Sequence, residues 1–192
     1  MTPTDIVLLV ADTFDALGVP YVLVGSLASS ARGVPRSTND ADIVAALRHT
    51  HVEPLVARLS TDFYIDGTAV ERAVSMGRSF NAIHRQTAFK IDVFVPPAGG
   101  FGHQQLARGV REETGTEGSR RALCIATAED VIVSKLLWFK AGGRLSDRQW
   151  QDILGLIAVQ GSALDVPYLR DWASRLGLED LLESALVGRQ PG

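Results

Sequence analysis

The sequence predicts an α/β body followed by an all-helical C-terminal segment, on three observations. Short apolar or alternating runs at 21–24, 40–44 and 88–95 read as strands, and amphipathic stretches separate them. The last strand-like run ends at Ala126. Beyond Thr127 the apolar residues recur at helical spacing, between clear start and stop signals. The expected organisation is a core over 1–126 with a helical segment over 127–192 packed on it.

Taken in order, Thr2 and Pro3 supply a hydroxyl cap and a first-turn proline. Ile6, Leu9, Val10, Phe14 and Leu17 follow at helical spacing until Gly18 and Pro20. The strand at 21–24 stops at Gly25-Ser26; 27–32 is small and helix-tolerant, and Gly33 with Pro35 breaks it. The next strand carries Asp40 and Asp42, which leave one face while Ala41 and Ile43 enter the other. A helix over 51–59, a short strand over 63–65 and a short helix over 68–76 follow. Residues 79–85 and 88–95 read as paired strands, with Phe89, Ile91, Val93 and Val95 apolar and Asp92 off that face. A helix is expected over 101–113, a turn over 115–118 and a strand over 120–126. Thr127 with Asp130 and Ser146 with Gln149 have capping-box spacing for helices over 128–141 and 146–159. Two more helices start at Asp165 and Leu178.

Composition narrows the function. With 192 residues, 46% hydrophobic and 21% charged, the chain can bury one substantial core. A net charge of -3 gives no global basic field for nucleic acid, although Arg108, Arg111, Arg120 and Arg121 are close enough in sequence to form a local basic track. The single cysteine, Cys124, excludes a disulfide framework and suits a reducing compartment. No apolar run approaches the ~20 residues of a membrane span, and no signal-peptide pattern opens the chain. A cytoplasmic protein with no membrane partner is expected.

Gly25-Ser26 with Asp40, Asp42 and Asp92 forms the strongest constellation. Three carboxylates on the polar side of two strands converge if those strands are neighbours, and such a cluster is unfavourable unless a cation neutralises it. Mg²⁺ fits, because it takes few carboxylates and completes its shell with water and phosphate oxygens. The Gly-Ser turn can present backbone N–H groups to a phosphate. An isolated Asp-x-Asp is more often a solvated turn; Gly25-Ser26 upstream and Asp92 downstream favour the site. Lys135 is the only charge in the apolar run 131–139, so its ammonium either meets a partner or ligand, or snorkels to water. The four histidines lack zinc spacing, and Ser26 lacks a nucleophile-elbow pattern.

These positions resemble the polymerase-β-type nucleotidyltransferase superfamily: an apolar strand, Gly25-Ser26, a short helix, Asp40-x-Asp42, then the lone Asp92. The resemblance implies a nucleotidyltransferase fold with a short mixed sheet flanked by helices. It also implies Mg²⁺- or Mn²⁺-dependent transfer of a nucleoside monophosphate from an NTP to a hydroxyl. Asp40, Asp42 and Asp92 would be catalytic and hold the metal, while Gly25 and Ser26 would hold the triphosphate. Within the superfamily, Arg36-x-Thr38-x-Asp40-x-Asp42, the run ending at Lys135, and Asp147 with Asp152 are similar to the AbiE-group toxins of abortive-infection (type IV) toxin–antitoxin systems. That likeness adds Arg36, Thr38, Lys135 and Asp152 as nucleotide-binding residues and has the helical segment close over the site. It also implies an RNA (tRNA) 3' end as acceptor, with the arginine track for its phosphates, and a cognate antitoxin as partner. The same core serves enzymes that modify small molecules such as antibiotics, or proteins. A nucleotide- or partner-binding module without catalysis is a third reading, against which the presence of all three aspartates counts.

Overall fold

A computed structural model describes residues 1–35, 37–114 and 121–189. The chain divides into two compact units, Met1–Leu27 with Ser37–Ala126, and Ala28–Arg36 with Thr127–Gly192.

The first unit opens with α1 (Pro3–Ala16), whose N-terminus is a full capping box. The Thr2 hydroxyl accepts from the Asp5 amide at 3.2 Å, and the Asp5 carboxylate accepts from the Thr2 amide at 2.7 Å. The Thr2 amide, and then the Thr2 hydroxyl donating at 2.9 Å, hold the Asp5 carboxyl below its ordinary range. The apolar stripe buries Ile6, Val7, Val10 and Phe14, and the Phe14 ring lies 5.6 Å from that of Tyr21.

Among the described residues, seven strands form one sheet: β1 (Tyr21–Val24), β2 (Asp40–Ala45), β3 (Phe63–Ile65), β4 (Ser79–His84), β5 (Lys90–Phe94), β6 (Val110–Thr114) and β7 (Arg121–Ile125). Their spatial order is β3-β4-β5-β2-β1-β7-β6. Pairs β2–β5 and β1–β7 are parallel, and the other four are antiparallel. Parallel pairing needs a long crossover. For β2 to β5 that crossover contains α3 (His49–Leu59), β3, α4 (Gly67–Met76) and β4. The period-2 alternation predicted for β2 and β5 is present: Ala41, Ile43, Ile91 and Val93 are buried, while Asp40, Asp42, Lys90 and Asp92 are half-buried.

One element differs from its expectation. The predicted helix over 101–113 is α5 (Phe101–Arg108), which ends at Gly109, and the remainder is β6. A Cβ at Gly109 would stand 2.6 Å from Cys124 Sγ and 3.1 Å from a Val22 methyl, so the backbone passes close to β7 and β1 there. From that approach the chain continues as a ladder on β7 instead of extending the helix. The expected turn over 115–118 lies outside the described residues.

In the second unit, α6 (Ala128–Ala141), α7 (Asp147–Gln160), α8 (Val166–Leu176) and α9 (Glu179–Leu186) pack together, and the end of α2 (Gly25–Arg32) joins them. Ile132, Leu136, Trp150, Ile153 and Leu156 are fully buried, and the Trp150 ring lies 5.2 Å from Phe139. The Gln160 amide donates to the Arg32 carbonyl at 2.5 Å and so ties α7 to the end of α2. Ser146 caps α7 by accepting from the Gln149 amide, as its spacing predicts. Thr127 caps α6 from the Asp130 amide. The Asp130 side chain accepts instead from the Tyr168 hydroxyl, and Glu129 accepts from the Asp165 amide at 3.1 Å, so the first turn of α6 anchors α8. Trp172 is half-buried under the Arg175 guanidinium, 5.1 Å from its ring centroid.

Candidate active site

The site residues of the first unit gather because of register. Across the sheet, Val24, Asp42, Asp92 and Asn81 occupy one row on β1, β2, β5 and β4. Asp40 and Lys90 are paired in the next row of that face, beyond Ala41 and Ile91. Paired residues project from the same face, so Asp40, Asp42, Lys90, Asp92 and Asn81 form one polar patch, with Ala41, Ile43, Ile91 and Val93 buried on the other face.

Each carboxylate has defined company. Thr38 donates through its hydroxyl to Asp40 Oδ1 at 2.7 Å and to the Asp40 carbonyl at 3.2 Å, which fixes the entry to β2. Asn81 Nδ2 donates to Asp92 Oδ1 at 3.2 Å, and Lys90 Nζ donates to Asp92 Oδ2 at 2.6 Å. The Lys90 ammonium is held above its ordinary range first by that hydrogen bond, against its own desolvation, and then by the charges of Asp92, Asp40 and Asp42. One cation therefore sits in the field of all three carboxylates.

Asp42 meets the end of β1. Gly25 has φ +63°, the left-handed region where a side chain is strained, and begins α2 directly after the strand. A Cβ at Gly25 would lie 2.7 Å from Asp42 Cγ and 2.9 Å from Asp42 Cβ. The Asp42 carboxylate thus occupies the space that a glycine leaves. Ser26 is the second residue of α2, in the turn whose amides lack intrahelical acceptors and favour anions.

The donor set suits a hard divalent cation: oxygen donors only, with Asp42 and Asp92 adjacent across parallel strands. Among the described residues, no three His, Cys, Asp or Glu side chains already stand close enough to hold an ion. The Lys90 ammonium supplies the positive charge among the carboxylates as they stand.

No protein-family model matches the sequence, and no curated protein matches it. Solved structures do match. The antibiotic-resistance factor ANT(2'')-Ia in solution aligns over 98% of this chain and 100% of its own, with TM-score 0.59 and 15% identity. Its crystal structure in complex with adenylyl-2''-tobramycin aligns over 91% and 99%, with TM-score 0.60 and 14% identity. An antigenic nucleotidyltransferase-like protein from Paracoccidioides brasiliensis aligns over 97% and 93%, with TM-score 0.50 and 16% identity. The chain has the nucleotidyltransferase fold. Its mixed, open sheet with surrounding helices is the architecture that the sequence led us to expect.

In this nucleotidyltransferase fold the other described candidates have defined partners. Lys135 and Asp152 belong to the second unit, where they form an ion pair at 2.7 Å with side chains only 8% and 14% exposed. The partner satisfies the buried ammonium that the sequence singled out. Two arginines of the expected basic track are tied to α1: Arg111 donates to both Asp15 oxygens, at 2.7 and 2.6 Å, and Arg121 pairs with Asp12. Arg36 and Arg120 lie outside the described residues. Sequence reasoning missed Lys90 and Asn81. Lys90 had a signal, standing two residues before Asp92 and so on the same strand face. Asn81 had one too, because the expected pairing of 79–85 with 88–95 across a two-residue connection sets it opposite Asp92. Among the described residues, no helix is long and apolar enough to cross a membrane.

Proposed function

We propose that the protein transfers a nucleoside monophosphate from an NTP to an acceptor hydroxyl. The observation that carries this reading is the row placing Asp42 beside Asp92, with Asp40 on the same strand face and Gly25 against Asp42, within a nucleotidyltransferase fold. In the reaction the acceptor oxygen attacks the α-phosphorus, the α–β anhydride bond breaks, and pyrophosphate leaves. Asp40, Asp42 and Asp92 would hold Mg²⁺ or Mn²⁺, which when bound neutralises phosphate charge and lowers the pKa of a ligated hydroxyl. Asp92 takes up the acceptor proton. Gly25 lets the chain turn tightly from β1 into α2, and the first-turn amides and Ser26 hydroxyl meet the phosphates. Thr38 orients Asp40.

For the acceptor, a small-molecule hydroxyl is the better-supported class. Two of the neighbours that align over more than nine-tenths of both chains are structures of ANT(2'')-Ia, an antibiotic-resistance factor by its name. A lincosamide antibiotic adenylyltransferase, LnuA, also aligns, over 83% of this chain at TM-score 0.50 and 16% identity. An RNA end, the acceptor that the AbiE-like motif order implies, gains less support because Arg111 and Arg121 are already engaged by α1.

The test supplies Mg²⁺, each NTP labelled at the α-phosphate, and either a panel of hydroxyl-bearing antibiotics including tobramycin and lincomycin, or total RNA. Labelled acceptor with equimolar pyrophosphate, lost in Asp42→Asn, is the expected result. Label in RNA alone would replace the small-molecule reading by the toxin-like one. No pyrophosphate above the Asp42→Asn control with any acceptor would refute nucleotidyl transfer.

A further inference from the structure

Lys90 does something that the proposed chemistry does not require. The alternation of β5 puts it on the carboxylate face, and register places it beside Asp40 while Asp92 stands beside Asp42. Its ammonium holds Asp92 Oδ2 at 2.6 Å, and Asn81 holds Oδ1 at 3.2 Å. Both oxygens of one prospective metal ligand are therefore engaged from within the protein. A Mg²⁺ ion needs such an oxygen at about 2.0–2.1 Å and cannot share it cheaply with an ammonium of the same charge sign. The two side chains differ in freedom: Lys90 is 41% exposed and Asp92 only 18%. The lysine head can swing into water on its flexible stem while the carboxylate stays in its row.

We propose that Lys90 is an internal counter-ion of the carboxylate cluster, occupying Asp92 until a divalent cation displaces it. Cation loading is then an exchange of an ammonium for a metal ion, and the affinity for a bare cation is lowered by the contact that must break. This inference rests on the reading of Asp40, Asp42 and Asp92 as the metal-binding set.

The experiment measures Mn²⁺ binding without nucleotide, by the electron paramagnetic resonance signal of the free ion, in wild type, Lys90→Gln, Lys90→Arg and Asp42→Asn. Lys90→Gln is expected to bind about tenfold more tightly than wild type, a shift the size of one pKa unit of charge interaction. Lys90→Arg, which keeps the charge, should bind no more tightly than wild type, and Asp42→Asn should lose the site. Asp42-dependent binding that is no tighter in Lys90→Gln overturns the role of Lys90 and leaves the metal-site reading standing. Absence of Asp42-dependent binding in every variant overturns both. A second measurement needs no variant of altered stability. The sequence holds three lysines, Lys90, Lys135 and Lys140, so the side-chain ammonium NMR spectrum is sparse. The Lys90 resonance should shift as Mg²⁺ saturates the site. A Lys90 signal unmoved at saturation overturns the exchange.

Discussion

The carboxylate of Asp42 lies directly against the Cα of Gly25, so a side chain at one position excludes the observed rotamer at the other. Two costs then fall on Gly25→Ala: the left-handed φ of +63° and the overlap with Asp42. Together they should lower the unfolding free energy by about 2 kcal/mol or more. Urea denaturation of Gly25→Ala, Asp42→Gly and the double variant separates the two, since the double variant relieves only the overlap. A Gly25→Ala protein as stable as wild type would mean that the strand end relaxes freely.

Asp42 and Asp92 share one row but have different neighbours, Gly25 for one and Lys90 with Asn81 for the other. Asp42→Asn and Asp92→Asn should each reduce nucleotidyl transfer by about 10²-fold or more, read as pyrophosphate release at saturating NTP. Far-ultraviolet circular dichroism should remain that of wild type. Retention of a tenth of the activity in either variant would remove that residue from the proposed chemistry.

The Lys135–Asp152 pair gives a prediction about stability. Both side chains are nearly buried, so removing one takes the ion-pair partner from a buried charge. Lys135→Met should cost about 3 kcal/mol, whereas Lys135→Met with Asp152→Leu should recover most of that loss. Chemical denaturation of the single and double variants decides it. A single variant as stable as wild type would place the pair in water.

Alkaline pH should weaken the fold through two groups in the first unit. Burial pushes the Cys124 thiol above its ordinary value of 9.0. Burial, with the Asp15 carboxylate adding to it, pushes the Tyr21 phenol above 10.0. The unfolded chain therefore releases both protons at lower pH than the folded one. Their stabilising effect is complete below the unfolded value of 9.0 and is lost as pH rises through the folded values. Urea midpoints measured between neutrality and strongly alkaline pH should fall over that window, and less steeply in Cys124→Ala. A flat profile would contradict the burial of both groups.

Much of this was legible in the sequence because its signals are local. The alternation 40–43 and 89–95 gives both the faces of β2 and β5 and the side on which Asp40, Asp42 and Asp92 emerge. The boundaries of α1 and α7 follow from Thr2-Pro3 and Ser146, whose side chains make the expected caps. What stayed hidden depends on distant partners. β6 is a polar run, Val110-Arg-Glu-Glu-Thr114, with no apolar alternation, and its strand form comes from pairing with β7. Arg111 and Arg121 read as free basic charge because Asp15 and Asp12 are about a hundred residues away along the chain, across a fold only the sheet order reveals. Asp130 had capping-box spacing, yet Tyr168 from α8 claims its side chain.

The position of β6 has a consequence for the life of the protein in a crowded solution. The sheet has two rims, β3 and β6, each hydrogen-bonded on one side only among the described residues. A bare rim is a template on which another molecule's backbone can zip, the first step toward fibrils. At one rim the template is three residues long, Phe63–Ile65. At the other, Arg111, Glu112 and Glu113 set charges of both signs along the strand, and a second copy would have to strip water from them before its backbone could pair. The polarity that concealed β6 from sequence inspection is the same property that keeps the open sheet from growing.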